Sequence, residues 1–224
     1  GLSMRLSGTT RFPKNMMLGA IENKLLIRKY GEEVARQCKE MGIHINFAPD
    51  LDVNSNDENP VIGIRSFGEN PYAVAEKGIA YSKGLEENGI ISVAKHFPGH
   101  GDTSDDSHET LPAIYHNRER LDSVELVPFR EYIRQGFAGM MTGHLYIPAL
   151  DKRKGKAASL SQAVVTDLLQ DELGFKGLCF TDALAMKGAS TKKTDNPCVQ
   201  ALLAGNDILL APRAPISDFK AVKE

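Results

Sequence analysis

A parallel α/β fold of the (β/α)8 barrel type is predicted by three observations. Short apolar runs alternate with amphipathic helical patterns along the chain. The segments between the runs are long enough for the crossovers that parallel strands require. The runs end at Pro49 and Asp50, Lys95 and His96, Thr142 and His144, Thr181 and Asp182, so each brings a polar residue to its end. Polar groups collected at one end of several strands suit a barrel mouth, whereas an open sheet needs a single crevice.

The elements follow in order. Leu26, Tyr30, Val34 and Met41 recur at helical spacing over about 21 to 41, and Gly42 ends that helix. Ile43, Ile45 and Phe47 lead through a strand to Pro49. Val74, Gly78, Tyr81 and Leu85 share one face of a helix over about 71 to 88, closed by Asn88 and Gly89. A strand over 90 to 95 follows directly. Leu121, Val124, Phe129 and Ile133 predict a helix over about 118 to 135, succeeded by the apolar run Phe137 to Met141, which leads to His144. Ser161 suits the cap of a helix bearing Val164, Val165, Leu168 and Leu169, and Gly174 stops it. Leu178 to Phe180 form a strand that ends at Asp182; Asn196 and Pro197 open another helix, and Ile208 to Leu210 make a last short strand. About five strands can be counted, against the eight of a complete barrel of typically ~250 residues. The chain is therefore read as a single, partial barrel domain over 1–224, with N-terminal strands and the C-terminal end of the barrel expected outside this sequence.

Composition sets mild bounds. The 224 residues are 42% hydrophobic with a formal net charge of −2, sufficient for one sizeable core. Charges of both signs are interspersed, which argues against nucleic acid as a partner. No apolar stretch approaches the ~20 residues of a membrane span, and the opening residues lack a secretory leader pattern. Cys38, Cys179 and Cys198 are far apart and odd in number, which fits core thiols better than a disulfide or zinc framework.

Chemistry concentrates in VAKHFPGHGDTSDDSHETLP, from Val93 to Pro112. Pro98 with Gly99 and Gly101 bends the chain after Lys95 and His96, so the later polar groups sit on a shaped loop. Asp106 and His108 form a DSH triplet in which the carboxylate can orient the imidazole for acid and base work; the plain alternative is a bystander loop histidine. Asp182, where a strand gives way to a loop in FTDALAMKG, can attack an electrophilic carbon, or simply be a helix N-cap or pair with Lys187. Lys95, Arg65 and Arg5 can hold polar substrate oxygens, or form structural ion pairs. Asp50 and Asp52 fill a similar polar layer or cap the turn into Asn54 to Asn56. His144 reads as a satisfied core histidine. His96, His100, Asp102 and His108 are chemically able to bind zinc or iron, but their spacing matches no helical metal motif. No metal and no cofactor is expected.

These residues also carry a resemblance. KHFPGHGDTSDDSH, MTGHLYIPALD, ASLSQAVVTDLLQDELGFKG and FTDALAMKG, with NFAPDLDVNSN and VIGIRSFGEN upstream, resemble glycoside hydrolase family 3, and within it the bacterial β-N-acetylglucosaminidase branch of peptidoglycan turnover. The resemblance implies a retaining exo-β-N-acetylglucosaminidase acting on muropeptides or related glycosides in the bacterial cytoplasm or periplasm. It implies that Asp182 is the nucleophile and that His108, partnered by Asp106, is the general acid/base in place of a second carboxylate. Arg65, Lys95 and His96 match residues that bind sugar hydroxyls. Arg5 matches an arginine that follows an acidic Gly-rich strand whose substrate-binding aspartate is not present here. Additional domains are an expectation for the full-length protein. The rival readings are another family 3 β-glycosidase or a phosphorylase, a carbohydrate-binding barrel fragment without turnover, and a metal-dependent hydrolase.

Overall fold

The computed structural model describes residues 2–4, 6–105, 110–189 and 195–224. Its centre is a four-stranded sheet of β1 (Ile45–Asn46), β2 (Ile91–Phe97), β3 (Gly139–Thr142) and β4 (Leu178–Thr181). The spatial order is β1-β2-β3-β4 and every pairing is parallel. Strands laid side by side in chain order, each joined to the next by helical crossovers, form the wall of a TIM-barrel-like α/β fold. All four C-terminal ends therefore open on one edge.

The helices form for the reasons their sequences suggest. α1 (Asn15–Gly19) precedes α2 (Lys24–Glu40), whose first turn is capped by Asn23 accepting the Leu25 amide at 3.0 Å. α2 buries Ile27, Gly31, Val34, Ala35 and Cys38 on one face. That face lies on α3 (Pro71–Glu86), the crossover from β1 to β2. Gly31 and Gly84 permit the approach: a Cβ on Gly31 would stand 2.3 Å from the Tyr81 carbonyl oxygen. β3 is buried along its whole length, as expected of a parallel strand covered on both faces. Phe97 of β2 and the residues Phe129 and Tyr132 are fully buried, with the Phe97 and Phe129 rings 5.4 Å apart. No helix of the described residues is long and apolar enough to cross a membrane.

Three elements differ from their expected form. The strand from Ile43 to Pro49 is regular only at Ile45–Asn46. Pro49 brings no N–H to the ladder, but contacts with β2 continue irregularly: the Ala48 and Pro49 carbonyls accept the Val93 and Lys95 amides at 3.0 Å, the Leu51 amide meets the Lys95 carbonyl at 2.7 Å, and Asp50 bridges to Lys95. The helix expected over 118 to 135 is two, α4 (Arg118–Ser123) and α5 (Val127–Arg134). Val124 leaves helical geometry at φ −129°, and Pro128 then serves in the first turn of α5. The last strand contributes a single bridge, Ile208 to Phe180. The helix Ala163–Glu172, wound as a π-helix, joins β3 to β4; Ser161 leads into it through its backbone carbonyl, while its hydroxyl donates to Asp151 at 2.5 Å. α6 (Pro197–Leu203), capped by the Asn196 side chain, and α7 (Pro215–Lys223) complete the described chain.

Candidate active site

The strand ends assemble one polar cluster around Asp52. This carboxylate is fully buried and lies just beyond β1. It accepts the His96 ring Nδ1 at 2.7 Å, the His96 amide at 3.2 Å and the His100 amide at 2.6 Å. With a carboxylate on Nδ1, that nitrogen carries the ring hydrogen and Nε2 is the acceptor that meets Arg65 Nη2 at 3.4 Å. Arg65, on the short 3-10 turn Gly63–Arg65, also donates to the Val61 carbonyl at 3.0 Å and stands 3.4 Å from Asp50 Oδ2. Asp52 thus fixes both the end of β2 and the loop after it.

That loop is packed down by glycine. A Cβ on Gly101 would fall 1.7 Å from the Val53 carbonyl oxygen, a distance that only backbone movement can relieve. Gly101→Ala is accordingly expected to destabilise the protein by about 1–3 kcal/mol and to lower its thermal midpoint; an unchanged melting curve would contradict this packing. His100 holds Thr103 Oγ1 through Nδ1 at 2.8 Å. Asp102 bonds Ser55 at 3.2 Å and the His116 ring. His100 and Asp102 shape the loop.

Asp182 directly follows β4. Its amide continues the ladder onto the Thr142 carbonyl at 2.9 Å, and its Oδ1 accepts the Ala183 amide at 2.7 Å. Buried His144 braces this turn, with Nε2 on the Ala183 carbonyl at 3.1 Å and Nδ1 on Ser159 Oγ at 2.6 Å. It is the core histidine its sequence position suggests.

Electrostatics divide the titratable groups. Burial lowers the His96 imidazole to about 4, in spite of Asp50 and Asp182 nearby, so the ring is neutral. Burial likewise lowers His100 and Lys95. Asp50 is pushed up to about 7 by burial and then by Asp52, against the pull of His96 and Arg65. For Asp182 burial is the largest single influence and acts upward, yet His96, His144, the Ala183 amide and Lys95 together hold the carboxyl below its ordinary value. Asp182 is therefore an ionised carboxylate in a largely desolvated place.

A cleft of about 1110 Å³ is lined by Asp50, Arg65, Lys95, His96 and Asp182, with Phe47 on its apolar side. Four residues singled out in the sequence, Arg65, Lys95, His96 and Asp182, meet here. Arg5, Asp106 and His108 lie outside the described residues. Of the two sequence readings of Asp50 and Asp52, a polar layer or a turn cap, the contacts with His96 and Arg65 favour the polar layer. Their D-x-D spacing at the end of a strand was the available signal, because alternate residues face one side.

Asp50, Asp52 and His96 each place one potential ligand atom within 4.8 Å of the others. Asp52 already holds three hydrogen bonds, the His96 Nδ1 hydrogen points at it, and the Arg65 guanidinium lies 3.4 Å from both Asp50 and His96. This chemistry is that of a hydrogen-bonded ion cluster, with a resident cation already supplied by Arg65.

Comparison with known proteins gives a consistent set of relatives. The family model described as the glycosyl hydrolase family 3 N terminal domain matches residues 1–224. Beta-hexosaminidase A of Pseudoalteromonas piscicida is 42% identical over 232 residues, covering 94% of this chain and 38% of that protein. A beta-hexosaminidase of Neisseria meningitidis serogroup C is 38% identical over 191 residues, covering 82% of this chain and 52% of its own length. The chain thus spans about half or less of the length of these relatives. Among solved structures, a glycoside hydrolase family 3 β-N-acetylglucosaminidase from Paenibacillus sp. superposes with a TM-score of 0.90 at 42% identity, over 97% of this chain and 41% of that one. NagZ from Neisseria gonorrhoeae, solved with N-trifluoroacetyl-D-glucosamine, gives a TM-score of 0.86 at 34% identity, over 97% and 64%.

Proposed function

The chain belongs to glycosyl hydrolase family 3, through its N-terminal domain, and on that premise we propose that it catalyses retaining exo-hydrolysis of terminal β-linked N-acetylglucosamine from muropeptides or related glycosides. The observation that carries the reading is the convergence of Asp182, Arg65, Lys95 and His96 on one cleft at the strand ends. The names of the relatives support the sugar class: two are beta-hexosaminidases, and NagZ from Neisseria gonorrhoeae holds an N-acylated glucosamine.

In this mechanism Asp182 attacks the anomeric carbon from one face of the sugar. Being ionised already, it needs no base to activate it. His108 protonates the departing glycosidic oxygen on the other face, oriented by Asp106, and then takes a proton from the water that releases the glycosyl-enzyme. An imidazole suits both halves of that cycle because its ordinary pKa lies near neutrality. Arg65 and Lys95 donate to sugar hydroxyls, with neutral His96 held in place by Asp52. Arg5 is assigned to the same binding role.

The test is hydrolysis of an aryl N-acetylglucosaminide beside an aryl glucoside, each with and without inorganic phosphate. Strong preference for the N-acetylglucosaminide, with free sugar as product in both buffers, is expected. A sugar phosphate as main product would reassign the protein to phosphorolysis. Sugar binding without any release of aryl alcohol would mark a binding module.

A further inference from the structure

Asp50 is a buried charge for which the proposed chemistry has so far had no use. Its side chain is 4% exposed, and among the described residues Oδ2 makes no hydrogen bond and Oδ1 is met only by the Asp52 amide at 3.4 Å. Asp52, two residues on, takes hydrogen bonds from three groups. A carboxylate buried with so few donors costs stability when it is ionised. Such costs persist where a charge serves a site.

What surrounds Asp50 indicates the service. Asp52 faces it from its own segment, His96 from β2 and Arg65 from the turn Gly63–Arg65. Lys95, its bridge partner on β2, forms no ion pair among the described residues. Of the carboxylates that favour the Lys95 ammonium, Asp50 acts most strongly, followed by Asp182 and Asp52. Burial works against that ammonium and Arg65 repels it. Without Asp50 the two cations lining the cleft would repel each other with one counter-charge fewer beside them.

We propose that Asp50 is a positioning residue for sugar binding: it is the counter-charge that holds the Arg65 guanidinium at the cleft, beside the Lys95 ammonium, so that both donate to sugar hydroxyls. The proposal rests on the cleft being the sugar site. Its ionisation follows pH: burial raises Asp50 to about 7, so the counter-charge is present above that value and is lost as the pH falls through it.

The experiment measures calorimetric binding of N-acetylglucosamine, and thermal melting, for the wild type, Asp50→Asn and Asp50→Glu at about pH 5.5 and about pH 8. Wild-type affinity is expected to rise between the two pH values. Asp50→Asn is expected to bind on the order of tenfold more weakly at pH 8 and to show no rise, while Asp50→Glu keeps it.

Stability should move the other way. A carboxyl whose folded pKa is raised from 3.8 to about 7 carries a cost that is absent below the lower value and full above the higher one. Asp50→Asn should therefore melt above the wild type at pH 8, with the gap closing toward pH 4. Higher melting with weaker binding is a result that simple structural damage does not give. Equal affinity and equal pH dependence in wild type and Asp50→Asn would overturn the proposal, as would weaker binding accompanied by lower melting at pH 8. Failure of the wild type to bind the sugar at either pH would overturn the sugar-site reading itself, and this proposal with it.

Discussion

Asp182→Asn is expected to lower kcat on any N-acetylglucosaminide by on the order of 10⁴-fold or more, and to abolish covalent labelling by a fluorinated sugar that traps the glycosyl-enzyme. The size follows from what the amide lacks. It is nearly isosteric with the carboxylate and can still accept the Ala183 amide, which the wild-type Oδ1 does at 2.7 Å, so the turn after β4 keeps its shape. It carries no charge to bond the anomeric carbon. The loss should therefore fall on kcat for good and poor leaving groups alike, since both pass through the same attack. Mass spectrometry after incubation with the fluorosugar is the decisive measurement. A labelled Asp182→Asn protein would remove Asp182 from the role, and retention of more than about a tenth of the parent rate would do the same.

How much of this was legible beforehand depends on whether the information is local. α2 and α3 fall where their apolar residues recur, within a few residues of the expected ends, because the pattern that buries Val34 or Leu85 is written within the helix itself. The break between α4 and α5 was also local. Pro128 stands in the sequence at the point of division, and periodicity alone ran through it. β1 is shorter than its apolar run because its regular pairing is set by β2, which lies about 45 residues downstream.

The candidate site shows the same division. Arg65, Lys95, His96 and Asp182 stood out by residue type at strand ends or in a Gly-flanked loop, and the cleft gathers them. Asp52 is read from the sequence only as part of a polar layer or a turn cap, since its role consists of bonds to His96 and His100, 44 and 48 residues away. Asp50 was obscured likewise: its missing hydrogen bonds become visible only when the packed neighbours are known. Long-range satisfaction of buried charge is the part that sequence patterns carry least.

His108→Ala is expected to lower kcat/KM on substrates with poor leaving groups by about 10²–10⁴-fold, and to leave activated aryl glycosides far less affected. A departing alkoxide needs a proton as the bond breaks, whereas a nitrophenolate leaves without one. Equal losses on both classes would remove His108 from the acid role. The pH profile gives an independent reading. The acid must be protonated to act, so its limb of kcat/KM falls as pH rises, and His108→Ala should flatten that side. Asp50 works on the opposite side. Its counter-charge appears as pH rises through about 7, so its limb climbs with pH and should vanish in Asp50→Asn. The parent profile of kcat/KM should then be bell-shaped, with each variant removing one flank. The two effects are separable because one lies in the proton given to the leaving group and the other in the binding of the sugar.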